Sequence, residues 1–165
     1  MNNIQTQFSG GKMAELKYWT ANLVPGDKVF CANEDGQMNL ATVTVVTGSL
    51  VSVSEPELSF DRLTARNAKG YVILPDDAEQ REKYACQVQR AKLSALDPEA
   101  LSDDEVGFMF GALNYLRGKA IRKVSRVQKR QWFRALRIAS LTDTEVYYIL
   151  AGLKLANKTR ARLSK

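Results

Sequence analysis

Residues 101–116, LSDDEVGFMFGALNYL, align without a gap on residues 141–156, LTDTEVYYILAGLKLA. Two leucines, the aspartate, the glutamate and the valine are identical in the two segments, and a weaker match upstream places Arg90 on Arg130. We call positions that superpose in this alignment repeat-equivalent. A period of about 40 residues is typical of a helical hairpin, so the repeat predicts a four-helix domain made of two repeated helical hairpins.

Each repeated segment opens with the pattern of a capping box. Ser102 and Thr142 are each followed three residues later by glutamate, which allows the hydroxyl and the carboxylate to satisfy two amides of the first helical turn. We therefore interpret these acidic residues as structural. Asp103 and Asp104 are adjacent, and adjacent helical side chains do not point at one ion, so we expect no metal site there.

The residues before the repeat consist of short apolar or alternating runs. These runs are rich in Val, Ile, Phe and Thr, and dipeptides containing glycine separate them, which is typical of β-strands. They cover residues 27–31, 40–46, 50–53, 58–63 and 71–74. The sequence thus predicts an α+β protein with a five-stranded β-barrel domain at 1–75 and a basic helical domain at 76–165, where Asp76 or Asp77 caps the first helix.

Trp19, LVPGDKVF at 23–30 and FDRLTAR at 60–66 carry a resemblance to a known fold family. Residues 19–74 resemble the SH3-like barrels of small bacteriophage and prophage proteins, and more loosely KOW and Tudor modules. Those phage barrels often have glycine after the threonine of the second segment, where this chain has Ala65. The resemblance implies a five-stranded SH3-like barrel and a phage origin. It implies no function, because such barrels bind peptides, nucleic acids or nothing.

The composition excludes several classes of chemistry. The chain of 165 residues contains no histidine, so it has no imidazole base and no histidine-ligated zinc. Cys31 and Cys86 are the only cysteines, and we interpret both as reduced packing residues. The sequence also lacks a glycine-rich phosphate loop and a nucleophile elbow. We therefore expect a protein with no enzymatic activity and no cofactor.

The sequence also lacks a targeting segment and a long apolar stretch. Its N-terminus is polar, and no run approaches 18 apolar residues. We therefore expect a soluble protein of the bacterial host cytoplasm, with no membrane partner.

The two halves of the chain differ in charge. Residues 1–80 contain six basic and ten acidic side chains, whereas residues 81–165 contain 18 basic and eight acidic ones. The net charges are therefore −4 and +10, within an overall +6. A positive field of this kind concentrates polyanions near the second half.

The basic residues concentrate in residues 117–137, which contain nine of them and no acidic residue. On a helix with about 100° per residue, eight of the nine fall within an arc of roughly 140°, opposite an apolar side. Mixed signs are usual on a solvated helix face because like charges repel, so this face predicts an external counter-charge. The predicted binding residues are Lys119, Arg122, Lys123, Arg126, Lys129, Arg130, Arg134 and Arg137.

Nucleic acid is the first partner that this face predicts, because neutralised phosphates release counterions and arginine forks fit phosphate. Phe133 projects onto the basic arc, where it would stack on a base or pack on a neighbouring helix. An acidic protein surface is the second candidate, and the protein's own N-terminal half is one such surface. An anionic membrane is the least expected, since the apolar side of the helix must pack within its domain.

Two classes of function follow from these observations. The first is a non-enzymatic, phage-encoded nucleic-acid-binding accessory or regulatory protein that contacts the phosphate backbone. The alternative is a phage-encoded inhibitor or adaptor that binds a host protein complex, such as a defence nuclease of the CRISPR type or the transcription machinery. A third reading, a virion structural or assembly component, predicts a homo-oligomer with an exposed apolar edge. The oligomeric state stays open.

Overall fold

The structure is a computed structural model that describes residues 19–119 and 124–163. The chain divides into two compact units, Met1–Tyr84 and Ala85–Lys165, which we call the sheet unit and the helical unit. The change from strands to helices lies at residues 75–78, because the last strand ends at Pro75 and the first helix after it begins at Ala78. The protein is therefore mixed α+β, as the sequence predicts.

The sheet unit contains five antiparallel strands that form a curled sheet, or half-barrel. The strands are β1 (Lys28–Ala32), β2 (Met38–Val46), β3 (Leu50–Ser54), β4 (Leu58–Asp61) and β5 (Val72–Pro75). Their order is β4-β3-β2-β1-β5, so the last strand returns to pair with the first. The prediction of five strands is confirmed, and each strand overlaps one of the predicted apolar runs.

Alternate side chains of the strands fill one core. Its fully buried members include Val29, Val43, Val51, Phe60 and Ile73. β1 is buried on both faces, because Phe30 points away from this core and lies 5.3 Å from Tyr84, measured between ring centroids. Three consecutive residues of β1 are therefore buried, Val29 and Cys31 in this core and Phe30 on the opposite face.

The turn after β4 is held by the carboxylate of Asp61. Its Oδ1 accepts hydrogen bonds from the amides of Leu63 and Thr64 at 3.0 and 2.8 Å, and from the Thr64 hydroxyl at 3.0 Å. The Thr64 bonds lower the pKa of Asp61. Ala65 follows with a φ of +57°, in the left-handed region that favours glycine.

Arg62, in the same turn, ties the chain before β1 to the sheet. Its guanidinium donates to the carbonyls of Thr20 at 3.1 Å, Ala21 at 2.6 Å and Thr47 at 2.8 Å. The hydroxyl of buried Thr20 donates in return to the Arg62 carbonyl at 2.7 Å. The FDRLTAR segment is thus a structural turn.

The helices after the sheet are α1 (Ala78–Ser94), α2 (Asp103–Leu116), α3 (Arg126–Arg134) and α4 (Asp143–Leu163), with a 3-10 turn at Ile138–Ser140. Asp77 caps α1, since its Oδ1 accepts from the Gln80 amide at 2.8 Å. Both predicted capping boxes form. Ser102 and Thr142 each accept from the amide of the glutamate three residues later, and each glutamate accepts the cap amide in return.

Helices α2 and α4 run antiparallel and approach closely at Gly152. A Cβ at this position would lie 2.8 Å from the carbonyl oxygen of Phe108 and 3.2 Å from the Cβ of Ala112. Ala112 and Gly152 are repeat-equivalent. The two helices therefore cross where each repeat contributes a small residue.

The core of the helical unit is built from matching positions of the two repeats. The buried repeat-equivalent pairs are Leu93 and Phe133, Leu101 and Leu141, Val106 and Val146, and Met109 and Ile149. The positions that repeat in the sequence are thus the ones that fill the core.

Candidate functional site

The predicted basic helix is not continuous, so this prediction is wrong. Helix α2 ends at Leu116 and is followed by Gly118 with a φ of +62°; Lys119 is not helical. α3 begins at Arg126 because Ser125 forms a third capping box with Gln128, through bonds of 3.0 and 3.2 Å. The Ser-x-x-Gln pattern at 125–128 was the sequence signal for this helix start. Two predicted binding residues, Arg122 and Lys123, lie outside the described residues.

Arg130, at the centre of the predicted binding face, is held inside the helical unit. Its Nε donates to Asp103 Oδ1 at 2.8 Å, and its two terminal nitrogens donate to the carbonyls of Pro98 at 3.0 Å and Leu101 at 2.8 Å. Only 27% of its side chain is exposed. These bonds tie α3 to the segment that leads into α2.

Arg90 on α1 makes the same contacts with the other repeat. Its guanidinium donates to Asp143 Oδ1 at 2.9 and 2.7 Å, to the Ile138 carbonyl at 3.1 Å and to the Leu141 carbonyl at 2.7 Å. These three acceptors are repeat-equivalent to Asp103, Pro98 and Leu101, and Arg90 itself is repeat-equivalent to Arg130. We call the two sets of bonds the arginine clamps. They are reciprocal, because the first helix of each repeat holds the start of the second helix of the other.

The two other arginines of α3 also contact acidic residues. Arg134 pairs with Glu99 at 2.5 Å, and Arg126 approaches Asp103 at 3.6 Å with 82% of its side chain exposed. The expectation that this face needs an external counter-charge therefore does not hold for Arg130 and Arg134, whereas Arg126 is only loosely paired. The acids come from distant residues of the sequence, which a helical projection of residues 117–137 does not contain.

The apolar side of α3 is also rotated from the predicted one. Phe133 is buried in the helical core, so it packs on neighbouring helices and does not face the solvent. Trp132 contacts Phe110 edge to face, with the ring centroids 5.1 Å apart. Val127, which the projection places on the apolar side, is exposed. The binding face therefore includes neither a free Phe133 ring nor an uninterrupted arc of cations.

Some cations of the helical unit form no ion pair among the residues that the structure describes. Lys119, Lys129 and Arg137 belong to the predicted binding face, and they are joined by Lys92, Lys154, Lys158 and Arg162. Lys129 is half-buried beside α2, where its Nζ lies 3.7 Å from the position that a Cβ on Gly107 would occupy. Internal pairing thus leaves a set of cations available for a partner.

Lys129 lines a groove of about 560 Å³ along α2 and α4. Four large, partly exposed side chains share this groove, and 77% of Tyr115 is exposed. Small residues form part of its lining, and Asp103 and Asp104 lie in it as well. The large side chains are Phe108, Tyr115, Tyr148 and Leu155, and the small residues are Gly107, Gly111, Ala112 and Gly152. We call this site the aromatic groove.

The four large side chains of the aromatic groove are two repeat-equivalent pairs. Phe108 corresponds to Tyr148, and Tyr115 corresponds to Leu155. Sequence reasoning missed the groove because hydrophobic periodicity does not show which large side chains lie together on an open surface. The signal for it was the pair of glycines at 107 and 111, which leaves one stripe of α2 without side chains.

The perturbed carboxylates of the helical unit have structural causes. Hydrogen bonds from the Ser102 hydroxyl and amide lower the pKa of Glu105. The Thr142 amide, and then the Arg117 guanidinium at 2.7 Å, lower the pKa of Glu145. In the sheet unit, burial raises the pKa of the Cys31 thiol to about 11. The shifts favour the ionised carboxylates of Glu105 and Glu145, which accept these hydrogen bonds, and the neutral thiol of buried Cys31.

Among the described residues, no cluster of three or more cysteine, aspartate or glutamate side chains is arranged to hold a metal ion. The described helices include none with the length and apolar character needed to cross a bilayer. Comparisons of the chain with protein-family models, with curated protein sequences and with solved structures give no match.

Proposed function

We propose that this protein is a non-enzymatic nucleic-acid-binding protein whose helical unit contacts the polyanion. The observation that carries the proposal is the aromatic groove, in which the cation Lys129 and exposed aromatic rings lie together. Cations and aromatic side chains in one groove are the combination that nucleic-acid-binding surfaces use for phosphates and bases.

The charge of the helical unit supports this function. Its ion pairs involve Glu99, Asp103, Asp143 and Glu145, whereas several lysines and arginines have no acidic partner among the described residues. The net charge of +10 over residues 81–165 therefore belongs to solvent-facing cations as well as to paired ones. Phosphates that neutralise them release bound counterions, which favours binding at low salt.

The binding residues that we propose are not the same set as the eight predicted from the sequence. Lys119, Lys129 and Arg137 stay in the proposed contact surface, and so does Arg126, because its side chain is mostly exposed. The role that we propose for Arg130 is to position α3, since its donors are used within the unit. Arg122 and Lys123 stay predicted contacts, and so does Arg134, whose side chain is 53% exposed beside Glu99.

A salt titration with a matched charge control tests this function. The variant Lys129→Gln/Arg137→Gln removes two cations from the helical unit, and Arg66→Gln/Lys69→Gln removes two from the sheet unit. Fluorescence anisotropy with labelled oligonucleotides should show binding that weakens steeply with salt, and the helical variant should weaken it by about tenfold. The sheet variant should bind like the wild type. Absence of binding at about 50 mM salt, or equal losses in both variants, contradicts the proposal.

The apolar walls of the groove favour a second candidate function. A partner helix packs well on small residues such as Gly111 and Gly152 between large apolar side chains. This arrangement supports the alternative of a phage-encoded inhibitor or adaptor that binds a host protein complex. An exchange of the groove's large side chains that abolishes protein binding and leaves oligonucleotide affinity intact would favour this candidate.

We also propose finer assignments for the fold. The pairing of β5 with β1 and the left-handed Ala65 support an SH3-like barrel of the phage type. The arginine clamps and the shared core positions support two repeated helical hairpins. A phage-encoded protein of this kind would act in the cytoplasm of the bacterial host.

A further inference from the structure

We infer that the aromatic groove binds single-stranded nucleic acid, with unpaired bases stacked on the rings of Phe108, Tyr115 and Tyr148. This inference rests on the proposed function and names the class of nucleic acid that the site takes. The sequence alone predicts a contact on the basic residues of 119–137 and does not distinguish single strands from duplexes.

The exposure of the rings is the first reason. Tyr115 has 77% of its surface in contact with solvent, and Phe108 and Tyr148 are also partly exposed in the same groove. Apolar side chains clustered in a groove mark a surface that gains from being covered. Flat aromatic faces favour a flat partner, and every base offers such a face, whatever the sequence.

The shape of the groove is the second reason. Gly107 and Gly111 contribute no side chains beyond the backbone, so they leave space between the rings. A volume of about 560 Å³ is of the size that accepts small flat groups. Bases within a duplex are already stacked and present only their edges in the grooves, so they cannot stack on these rings. Unpaired bases of a single strand can stack on them.

The charge around the groove is the third reason. Lys129 lines it, and Lys158 follows Leu155 by three residues on the same face of α4. Neither lysine forms an ion pair among the described residues, so each is available to a phosphate. The rings would thus hold the bases while the lysines hold the backbone.

The two acidic residues of the groove indicate where the bound nucleic-acid strand can run. Asp103 is neutralised by Arg130 at 2.8 Å and faces Arg126 at 3.6 Å, so it repels phosphate little. Asp104 is exposed and has no ion pair among the described residues. The strand should therefore run on the side of Lys129 and avoid Asp104. Neutralisation of Asp104 should increase affinity, which no purely apolar partner predicts.

Anisotropy measurements on the full chain test the inference, with a fluorescent oligothymidylate of about 12 nucleotides and a duplex of equal length at about 50 mM salt. The wild type should bind the single strand at least about tenfold more tightly than the duplex. Tyr115→Ala and Tyr148→Ala should each weaken single-strand binding by about tenfold and leave duplex binding unchanged. Asp104→Asn should tighten single-strand binding.

Val127→Ala is the control for the loss of an exposed apolar side chain. Val127 is 65% exposed on α3 and does not line the groove, so this variant should bind like the wild type. Tyr115→Leu guards against a folding artefact, because it keeps the apolar bulk and removes the aromatic face. It should weaken single-strand binding while the thermal melting curve stays unchanged.

The possible outcomes separate this inference from the proposed function. Equal affinity for both oligonucleotides, or tyrosine variants without effect, overturns the stacking inference and leaves nucleic-acid binding standing. Absence of binding to both overturns both. If sedimentation velocity shows self-association that Tyr115→Leu abolishes while single-strand affinity is unchanged, the groove is a protein interface and the inference is wrong.

Discussion

The crossing of α2 and α4 predicts opposite effects for two glycine-to-alanine substitutions. Gly152→Ala adds a methyl group where the Phe108 carbonyl oxygen is 2.8 Å away, and backbone cannot move aside as a flexible side chain can. Gly111→Ala adds the same group to α2, where nothing lies within 4 Å. Both glycines are helical and neither has a positive φ, so the backbone permits alanine at both positions.

The magnitudes follow from two opposing contributions. Alanine favours a helix over glycine by about 1 kcal/mol, and this gain applies at both sites. Overpacking costs about 1–3 kcal/mol where neighbouring atoms must shift, and this cost applies to Gly152 alone. Gly111→Ala should therefore stabilise the helical unit by about 1 kcal/mol. Gly152→Ala should destabilise it by about 1 kcal/mol.

Urea unfolding followed by helical circular dichroism measures both values under the same conditions. A change of about 1 kcal/mol corresponds to about 4–8 °C in Tm for a unit of this size, so thermal melting provides a second reading. If Gly152→Ala is as stable as the wild type or more so, the close approach of the two helices is refuted. Destabilisation by Gly111→Ala would refute the open space above α2.

Three further predictions concern single groups. Arg130→Ala should lower the free energy of unfolding in urea by about 2 kcal/mol, because it leaves a carboxylate and two carbonyls without their donor. Arg134→Ala removes an exposed ion pair and should lower it by less than about 1 kcal/mol. The lowered pKa values of Glu105 and Glu145 mean that the folded state binds fewer protons than the unfolded state. The free energy of unfolding should therefore fall as the pH drops below about 4.5. Glu145→Gln should make this pH dependence shallower when unfolding is measured in an acid titration. Burial of Cys31 and its raised pKa predict that iodoacetamide at pH 8 modifies this thiol only in urea. Peptide mass spectrometry that finds rapid labelling of Cys31 itself in the native protein would contradict the buried position.

The local features of the fold could be read from the sequence. Glycine-separated apolar runs located all five strands, because alternation and turn residues are properties of neighbouring positions. The capping boxes at Ser102 and Thr142 formed as predicted for the same reason. The internal repeat located the residues that share the helical core, including Val106 and Val146.

The features that depend on distant contacts could not be read in the same way. The cations of α3 looked unpaired because Glu99 and Asp103 lie far upstream in the sequence, and only the packed structure brings them to Arg134 and Arg130. The continuous basic helix was predicted because charge periodicity outweighed the Ser125 cap. The aromatic groove was hidden because hydrophobic periodicity does not distinguish a buried seam from an open one.

The reciprocal arginine clamps have a consequence for the origin of the helical unit. Arg90 reaches the second repeat and Arg130 reaches the first through the same three kinds of acceptor, so each half supplies what the other half needs. Two separate copies of one half could satisfy the same contacts across a two-fold axis. The helical unit is thus built like a symmetric homodimer within a single chain, as a gene duplication would produce. The two halves differ at the groove, where Gly107 and Gly111 of the first repeat correspond to Tyr147 and Ala151 of the second.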